Sequence, residues 1–425
     1  NKEIEYQMIQ HISLLNRSKR AEVLSYLDLL CRKEEEPAKA GFIAFQNGIY
    51  SIYDDTLSSF DPSIVVLNKI PWDYNPNAYS KIVDEALDNL ACGKKETRIL
   101  LEEMIGYTMF ARNEIGRCFF LIGEGNNGKS TLIKMLKNML GKENISVLDI
   151  SKLDDRFSTI MMYNKLANLG DDISSNYIKD TSTLKKIVTG DPITCEEKGQ
   201  PVFDFEPHCK LIFSANVVPR LGNGRDTYAL ARRLIFIPLD AQFKKEKTST
   251  NDYDKNAFKI DELESEESME YLINIGIKAL KRVVKNQDFT LNSLTINELK
   301  RFEKDNNPVL GFFEEVERID DLTTDEVYSQ YVIYCKDNGI NALSKNWFIR
   351  ELLRKFREFE VVIKRVDGKR VKFFEKVGSG IGEKVDDNLG EKVETETITT
   401  NDSSSVAEST KNDTNSVAES TKKEE

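Results

Sequence analysis

One stretch constrains this chain more than any other, because an apolar run, a glycine-rich turn and a helical pattern follow one another without a break. The run CFFLI at residues 118–122 is apolar throughout, as expected of a strand buried on both faces of a parallel sheet. The turn GEGNNGKST follows, and LIKMLKNML after it has helical apolar spacing that ends at Gly141. The turn fits the pattern G-x-x-x-x-G-K-[ST] in its strand-to-helix context. We therefore predict a nucleotide-binding α/β core.

The residue types in the turn predict how it would hold ATP. Glycines let backbone N–H groups approach the phosphates, and the N-terminus of the following helix adds partial positive charge. Lys129 is expected to reach the outer phosphates and Ser130 to bind Mg²⁺. The predicted ATP-binding residues are Gly123, Glu124, Gly125, Asn126, Asn127, Gly128, Lys129, Ser130 and Thr131.

Three later segments place polar side chains at strand ends. After KLANLG, Asp171 is expected near Mg²⁺ and Asp172 is expected to polarise the attacking water, so both acids are candidate metal ligands. Two acids after a strand more often form an ordinary loop, but their position downstream of the turn favours the site. In KLIFSAN, Asn216 could hydrogen-bond the attacking water or the γ-phosphate through a neutral amide. Before LIFIPL, Arg232 and Arg233 could neutralise charge in a neighbouring subunit's site; a surface arginine pair is the alternative.

Charge is unevenly distributed along the chain, and local charge decides where a polyanion could bind. The formal net charge is −11. Residues 379–425 hold 12 acidic and 5 basic residues, a net of −7, whereas residues 344–377 hold 11 basic and 5 acidic residues, a net of +6. Residues 378–425 are predicted to be disordered, because they are polar, almost free of aromatics and contain SVAESTK twice.

Other classes of site and location are disfavoured by the sequence. The six cysteines form no C-x-x-C pair and there are only two histidines, which argues against a zinc site. No apolar run approaches the roughly 18 residues that a membrane span needs, and the first residues lack the form of a signal peptide. We therefore expect an intracellular protein without membrane partners.

A helix followed by a hairpin is predicted towards residue 377. Ser344 can cap the helical pattern KNWFIRELLRKF, and two strands flank an Asp-Gly turn in VVIKRVDGKRVKFF. This is the shape of a winged helix. Its basic excess favours DNA contact, and a protein-docking or ring-stabilising domain is the alternative. Helix spacing predicts that Trp347 and Phe348 belong to its core.

Taken together, these motifs resemble a known family. The compact order of Lys129, Asp172 and Asn216, which lie within 216 − 129 = 87 positions, resembles that of superfamily 3 helicases of viruses, phages and plasmids. The segments LLEEMIGYTMF, LIGEGNNGKSTLIKML, LKKIVTGDPITCEEKG, FDFEPHCKLIFSANVVPR and ARRLIFIPLD are similar to the phage and plasmid primase–helicase family, which is related to the poxvirus helicase-primase. The resemblance covers approximately residues 40–377.

The resemblance implies an AAA+ type ATPase that forms a hexameric ring and translocates on single-stranded DNA. In the family a hairpin lysine meets DNA in the central channel, and Lys198 in ITCEEKGQPVFDF is the matching residue. An exposed lysine is otherwise a solvated one, so only the resemblance singles out Lys198. The family commonly has Glu where this chain has Asp172, which weakens the catalytic-base assignment. Residues 1–115 show no primase-like set of acids, so this chain alone is not expected to make primers, and a primase domain or protein is an expected partner.

The sequence thus predicts an α/β protein with an AAA+ type P-loop core, a helical N-terminal region and a winged-helix-like domain. The expected function is that of an ATP-dependent replicative helicase of a phage, plasmid or mobile element, acting on single-stranded and forked DNA in the cytoplasm of a bacterial host. An ATP-switched DNA-binding initiator or loader, which would not need Lys198, is the alternative; a small-molecule kinase explains only the turn. The predicted domains are a helical lead-in (1–38), an N-terminal helicase-associated region (39–115), the superfamily 3 core (116–245), a helical connection (246–290), the winged-helix-like domain (291–377) and the disordered acidic segment (378–425).

Overall fold

The computed structural model describes residues 2–12, 14–30, 41–174, 177–199, 201–222, 227–246, 248–254, 258–316 and 318–377. The predicted disordered segment 378–425 therefore lies outside the described residues. The chain divides into two compact units, with the boundary between Gly311 and Phe312. Within the described residues, the helices are too short or too polar to cross a bilayer.

Strands and helices are interspersed between residues 118 and 254, and, among the described residues, six helices then precede the last two strands. The helices are α1 Lys2–His11, α2 Arg17–Leu30, α3 Lys81–Leu90, α4 Lys95–Tyr107, α5 Lys129–Leu140, α6 Ser182–Thr189, α7 Thr227–Ala231, α8 Ile260–Leu263, α9 Glu266–Asn286, α10 Ser293–Asn306, α11 Pro308–Glu315, α12 Thr324–Asp337 and α13 Lys345–Lys355. The strands are β1 Phe42–Phe45, β2 Gly48–Ser51, β3 Thr56–Ser58, β4 Cys118–Ile122, β5 Ile145–Ser146, β6 Ala167–Gly170, β7 Ile193–Cys195, β8 Phe203–Phe205, β9 Lys210–Ala215, β10 Leu234–Pro238, β11 Gln242–Lys244, β12 Asp252–Asp254, β13 Phe359–Val366 and β14 Lys369–Lys376.

A five-stranded parallel sheet in the order β10-β4-β9-β6-β5 forms the centre of the first unit. Side chains of β4 alternate between two cores: Phe119 and Leu121 pack on the side of α4, α5 and α9, whereas Cys118 and Phe120 pack on the side of α6 and α10. Both faces are covered, which explains why the strands are apolar at almost every position. The predicted α/β class and the strands at 118–122 and 234–238 are confirmed.

The parallel register decides which residues can meet. Because the strands run in one direction, the segments that follow β4, β6 and β9 all leave the sheet at its carboxyl edge. These segments carry the glycine-rich turn, the acid pair and Asn216. The segment that precedes β10 lies at the amino edge, since Leu234 pairs with Cys118. The two edges therefore separate the predicted site residues into two groups.

The region before the sheet combines an antiparallel meander, β1-β2-β3, with two helices. The two helices of this region, α3 and α4, are separated at Cys92 and Gly93, which adopt positive φ of 50° and 66°. Helix α4 crosses α9 closely: a Cβ added at Gly106 would lie 2.1 Å from the Gly276 carbonyl oxygen. This crossing ties the region to the core of the first unit.

The second unit contains α12, α13 and the antiparallel hairpin β13-β14. The predicted helix and hairpin are confirmed as elements, with Asp367 and Gly368 at the turn in positive φ. Ser344 occupies the N-cap position of α13 but its side chain makes no capping hydrogen bond. Phe348 is fully buried, whereas Trp347 is only half-buried. The unit begins at Phe312 rather than near residue 291, and α10 belongs to the first unit, where it packs on β10.

Candidate functional site

Lys129, the first residue of α5, is the centre of the candidate site. Its Nζ donates to the Gly123 carbonyl oxygen, to Asn127 Oδ1 at 3.0 Å and to Asn216 Oδ1 at 3.1 Å. The residue is only 7% exposed, and burial lowers the pKa of Lys129 against the opposing effect of the Asp172 and Asp171 charges. The ammonium group is thus held by neutral oxygens, which leaves its charge available to an anion.

The shape of the turn requires glycine at two positions. Gly128 has φ of +82°, and a Cβ there would lie 2.5 Å from Leu90 Cδ2. A Cβ at Gly123 would lie 1.8 Å from the Asn127 amide nitrogen, which itself donates to the Leu239 carbonyl at 3.1 Å. Gly125 has open space around it. The turn is therefore clamped at both ends, while its middle remains free for a ligand.

Two carboxylates follow β6 beside the turn. Ser130 Oγ lies 3.3 Å from Asp171 Oδ1, and Ser214 Oγ lies 2.6 Å from the same oxygen. The backbone N–H of Asp172 donates to Ser214 Oγ at 2.8 Å, and Asp172 has a positive φ of 52°. Both carboxylates are exposed. The sequence analysis does not identify Ser214, whose only signal is a hydroxyl after the apolar residues 211–213 of β9.

These residues fit a triphosphate with its metal. Ser130 Oγ and Asp171 Oδ1 are hard oxygen donors 3.3 Å apart, of the kind that Mg²⁺ takes from a protein while phosphates and water supply its other ligands. Backbone N–H groups of the turn and the first turn of α5, which includes Ser130 and Thr131, favour anions. Among the residues that the structure describes, His, Cys, Asp and Glu side chains form no cluster of three or more that could hold a metal by themselves.

The two arginines lie at the opposite edge of the sheet. Arg233 directly precedes Leu234, which pairs with Cys118, whereas the turn follows Ile122, four residues further along β4. At roughly 3.3 Å per residue, the arginines are about 15 Å from the turn. Arg233 is half-buried and Arg232 is exposed. Burial and the neighbouring Arg232 charge lower the pKa of Arg233. The structure therefore does not bring either arginine to the Lys129 cluster of the same chain.

Lys198 also lies apart from that cluster. It is exposed in the connection between β7 and β8, an antiparallel pair, and Gly199 beside it has φ of +82°. Tyr163 packs edge-on against Phe203 and Phe205 of β8, with ring centroids 5.2 Å apart in both pairs. The hairpin implied by the resemblance is present, with residue 200 outside the described part.

Comparisons with known protein families match three parts of the chain. Residues 2–104 match the family described as D5 N terminal like, and residues 304–382 match the family described as Poxvirus D5 protein-like. Residues 121–233, which contain the turn, the acid pair and Asn216, match a family of unknown function (DUF5906).

Individual relatives are distant. A protein of Sputnik virophage that is named as a helicase is 21% identical over an alignment of 364 residues. The alignment covers 80% of this chain and 46% of that protein. A helicase-named protein of Invertebrate iridescent virus 3 is 25% identical over an alignment of 267 residues. This alignment covers 54% of this chain and 26% of that protein. The chain thus spans less than half the length of either relative.

Among solved structures, the apo C-terminal region of NrS-1 covers 85% of this chain and 90% of its own, at 15% identity and a TM-score of 0.47. The assignment depends instead on the two D5-type matches and on the two helicase-named viral relatives. These matches support a relationship of the chain to the viral and phage primase–helicases, the group to which the poxvirus D5-like match points.

Proposed function

We propose that this chain is the motor of an ATP-dependent replicative DNA helicase of a phage, plasmid or other mobile genome. One observation carries the proposal: Lys129, Ser130, Asp171 and Asn216 come from three separate segments and meet at one edge of the sheet. The Lys129–Asn216 contact joins residues 87 positions apart. This combination supports ATP binding and hydrolysis, which a helicase and an ATP-switched initiator would share, so unwinding itself rests on the resemblance and on Lys198.

The proposed chemistry is phosphoryl transfer from ATP to water. Lys129 would exchange its contact with Asn216 for the outer phosphates, and Ser130 with Asp171 would hold Mg²⁺, which supplies charge neutralisation when bound. Asp172, exposed and next to Asp171, would orient and deprotonate the attacking water, and the amide of Asn216 would hydrogen-bond that water or the γ-phosphate. Ser214 contacts the carboxylate of Asp171 but the backbone N–H of Asp172, which has a positive φ, so the two acids can take different roles.

The proposed assembly is a hexameric ring of the AAA+ type around single-stranded DNA. The separation of the arginines from the Lys129 cluster supports this, because an arginine about 15 Å from its own turn could contact a bound nucleotide only in a neighbour's site. Lys198, exposed at the β7-β8 hairpin, is the proposed DNA contact in the channel. One ammonium group there would grip phosphates without reading bases.

The second unit is a proposed winged helix that contacts the duplex part of a fork. Exposed cations on α13, on β13-β14 and in the connection between them have no carboxylate partner within the described residues: Arg350, Arg357, Arg365, Lys369, Arg370 and Lys372. Unpaired cations on one helix and the adjoining hairpin favour a polyanion over a protein surface. A primase domain or protein is a further proposed partner.

Strand displacement on a forked duplex, measured with ATP hydrolysis, tests the proposal. The wild-type protein is expected to hydrolyse ATP, to do so faster with single-stranded DNA, and to separate the fork. Lys129→Ala is expected to lose all three activities, and Lys198→Ala to keep basal hydrolysis but lose DNA stimulation and unwinding. If the wild-type protein hydrolyses ATP and binds DNA but never separates strands, an ATP-switched initiator or loader is the better description.

A further inference from the structure

The adjacent arginines at the amino edge of the sheet have different surroundings. Arg233 is turned back into its own chain: its Nη1 donates to the Ala229 carbonyl at 2.7 Å, and its backbone N–H donates to the Leu230 carbonyl at 2.7 Å. The Nε of Arg233 is buried without a hydrogen-bond acceptor. Arg232 is exposed, and its guanidinium makes no hydrogen bond or ion pair with any residue that the structure describes. Only Arg232 has a side chain that can move to a new partner without breaking contacts.

The backbone of Arg232 is held in place by a third arginine. Arg117, the residue before β4, donates through Nη1 to the Arg232 carbonyl oxygen. Its Nη2 lies 2.8 and 2.9 Å from the two carboxylate oxygens of Asp288, just beyond α9. The next backbone N–H, that of Cys118, donates to the Arg233 carbonyl at 2.8 Å. The carbonyls of Arg232 and Arg233 are therefore both held by hydrogen bonds from residues at the start of β4.

We infer that Arg232 is the arginine presented to the nucleotide of a neighbouring subunit, and that Arg117 and Asp288 form the pair that positions it. The inference rests on the proposed function, since it requires a ring of ATP-hydrolysing subunits. An arginine that acts in trans needs a fixed backbone and a guanidinium free of competing acids. Arg232 meets both conditions, because Asp288 is occupied by Arg117. Arg233 instead stabilises the end of α7 through the Ala229 carbonyl.

The first test compares Arg232→Ala with Arg233→Ala, using Arg112→Ala as a control for loss of an exposed arginine of the first unit. Arg232→Ala is expected to lower kcat by about 10³-fold, the lower end of what a trans arginine contributes, with the Kd for ATP unchanged. Arg233→Ala is expected to lower the melting temperature, since it leaves the Ala229 carbonyl without its donor. Arg112→Ala is expected to keep the wild-type kcat.

Mixing subunits separates a trans role from damage to the fold. A subunit carrying Arg232→Ala still has an intact Lys129, and a subunit carrying Lys129→Ala still offers an intact Arg232. A one-to-one mixture of these two inactive proteins is expected to recover roughly a quarter of wild-type hydrolysis, because about that fraction of sites in a random ring pairs the two intact residues. A mixture of Arg233→Ala with Lys129→Ala is expected to show no gain over its components.

The same mixture tests the positioning pair. Arg117→Ala and Asp288→Asn are expected to lower kcat by at least about tenfold without changing the Kd for ATP, and mixing with Lys129→Ala is expected to restore hydrolysis. Arg117→Lys should be less active than wild type, because an ammonium group lacks the planar fork that reaches the carbonyl and the carboxylate together. A residue with only a structural role would lose stability and would not be rescued.

The outcomes distinguish the inference from the proposed function. If Arg233→Ala rather than Arg232→Ala is rescued by mixing, or if Arg232→Ala hydrolyses ATP at the wild-type rate, the inference is overturned and the proposed function stands. If the wild-type protein itself hydrolyses no ATP, the proposed function fails and the inference fails with it.

Discussion

Ser214 offers the sharpest test of how the candidate site is built, because it contacts both predicted acids and was not singled out in the sequence. Its hydroxyl donates to Asp171 Oδ1 at 2.6 Å and accepts the backbone N–H of Asp172 at 2.8 Å. The side chain is fully buried in β9. Replacing it by alanine removes both hydrogen bonds without adding bulk, so Ser214→Ala isolates the connection between β9 and the acid pair.

The expected effects are on both stability and activity. A hydrogen bond to a charged group contributes about 1.5–3 kcal/mol, so the free energy of unfolding of Ser214→Ala should fall by about that amount. Side chains that orient the groups around a metal typically contribute 10- to 100-fold to activity, so we expect kcat for ATP hydrolysis to fall by roughly that factor. Urea denaturation measures the first quantity and a steady-state phosphate-release assay the second.

Ser146→Ala is the matched control. Ser146 is also a buried serine of the same sheet, but its hydroxyl donates to Asn168 Oδ1 at 2.8 Å, away from the acid pair. Loss of this neutral hydrogen bond should lower stability by about 1 kcal/mol and leave kcat at the wild-type value. If Ser214→Ala behaves like Ser146→Ala, with a stability loss and unchanged hydrolysis, then Ser214 does not orient Asp171 and the reasoning is refuted.

Three further predictions concern the turn, its partner amide and a buried lysine. Gly128→Ala should destabilise the protein by at least about 2 kcal/mol and abolish binding of a fluorescent ATP analogue, because Gly128 has a positive φ and a Cβ there would lie 2.5 Å from Leu90. Gly125→Ala, at a position with open space, should fold normally. Equal stability of the two variants would contradict the steric requirement for glycine at position 128. Asn216→Asp should weaken ATP binding by at least about tenfold, because a carboxylate 3.1 Å from Lys129 Nζ would pair with the ammonium group in competition with phosphate. An unchanged Kd for ATP, measured by titration of the variant, would show that the residue at position 216 does not compete with phosphate for Lys129. Burial lowers the pKa of Lys210 from 10.5 to about 7. Between pH 7 and pH 10.5 the unfolded chain therefore binds more protons than the folded chain, so the free energy of unfolding of the wild-type protein should rise with pH relative to that of Lys210→Met. Urea midpoints that change equally with pH in both proteins would show that Lys210 does not titrate in this range.

The sequence was most informative where one local pattern determines one local structure. The strands β4 and β10 could be predicted, because burial on both faces leaves no alternative to apolar side chains. The end of the helix after the turn could also be predicted, although α5 begins at Lys129, three residues before the apolar pattern. The break between α3 and α4 is harder to predict, since Cys92 adopts a left-handed conformation that its residue type does not favour. The identity of Ser214 could not be predicted, because its role depends on the pairing of β6 with β9.

The positions of Arg232 and Arg233 illustrate a second limit. The sequence places both before a strand, but only the register of β10 on β4 shows that they lie at the edge opposite the turn. Arg233 is held by the Ala229 carbonyl, which is close to it along the chain. The backbone of Arg232 is held by Arg117, which is 115 positions away, while the Arg232 side chain is left free. A pattern of residue types cannot express this difference, because both residues are arginine.

Strand β4 connects these two edges directly. It continues into the glycine-rich turn at Gly123, and it begins immediately after Arg117, whose side chain holds the Arg232 carbonyl. The strand pairs with β9 on one side and β10 on the other, and residues 118–121 are fully buried between two cores. A close-packed interior transmits displacements rather than absorbing them. In the proposed ring, one buried strand would therefore join the turn that binds a subunit's own triphosphate to the arginine that the same subunit offers to its neighbour.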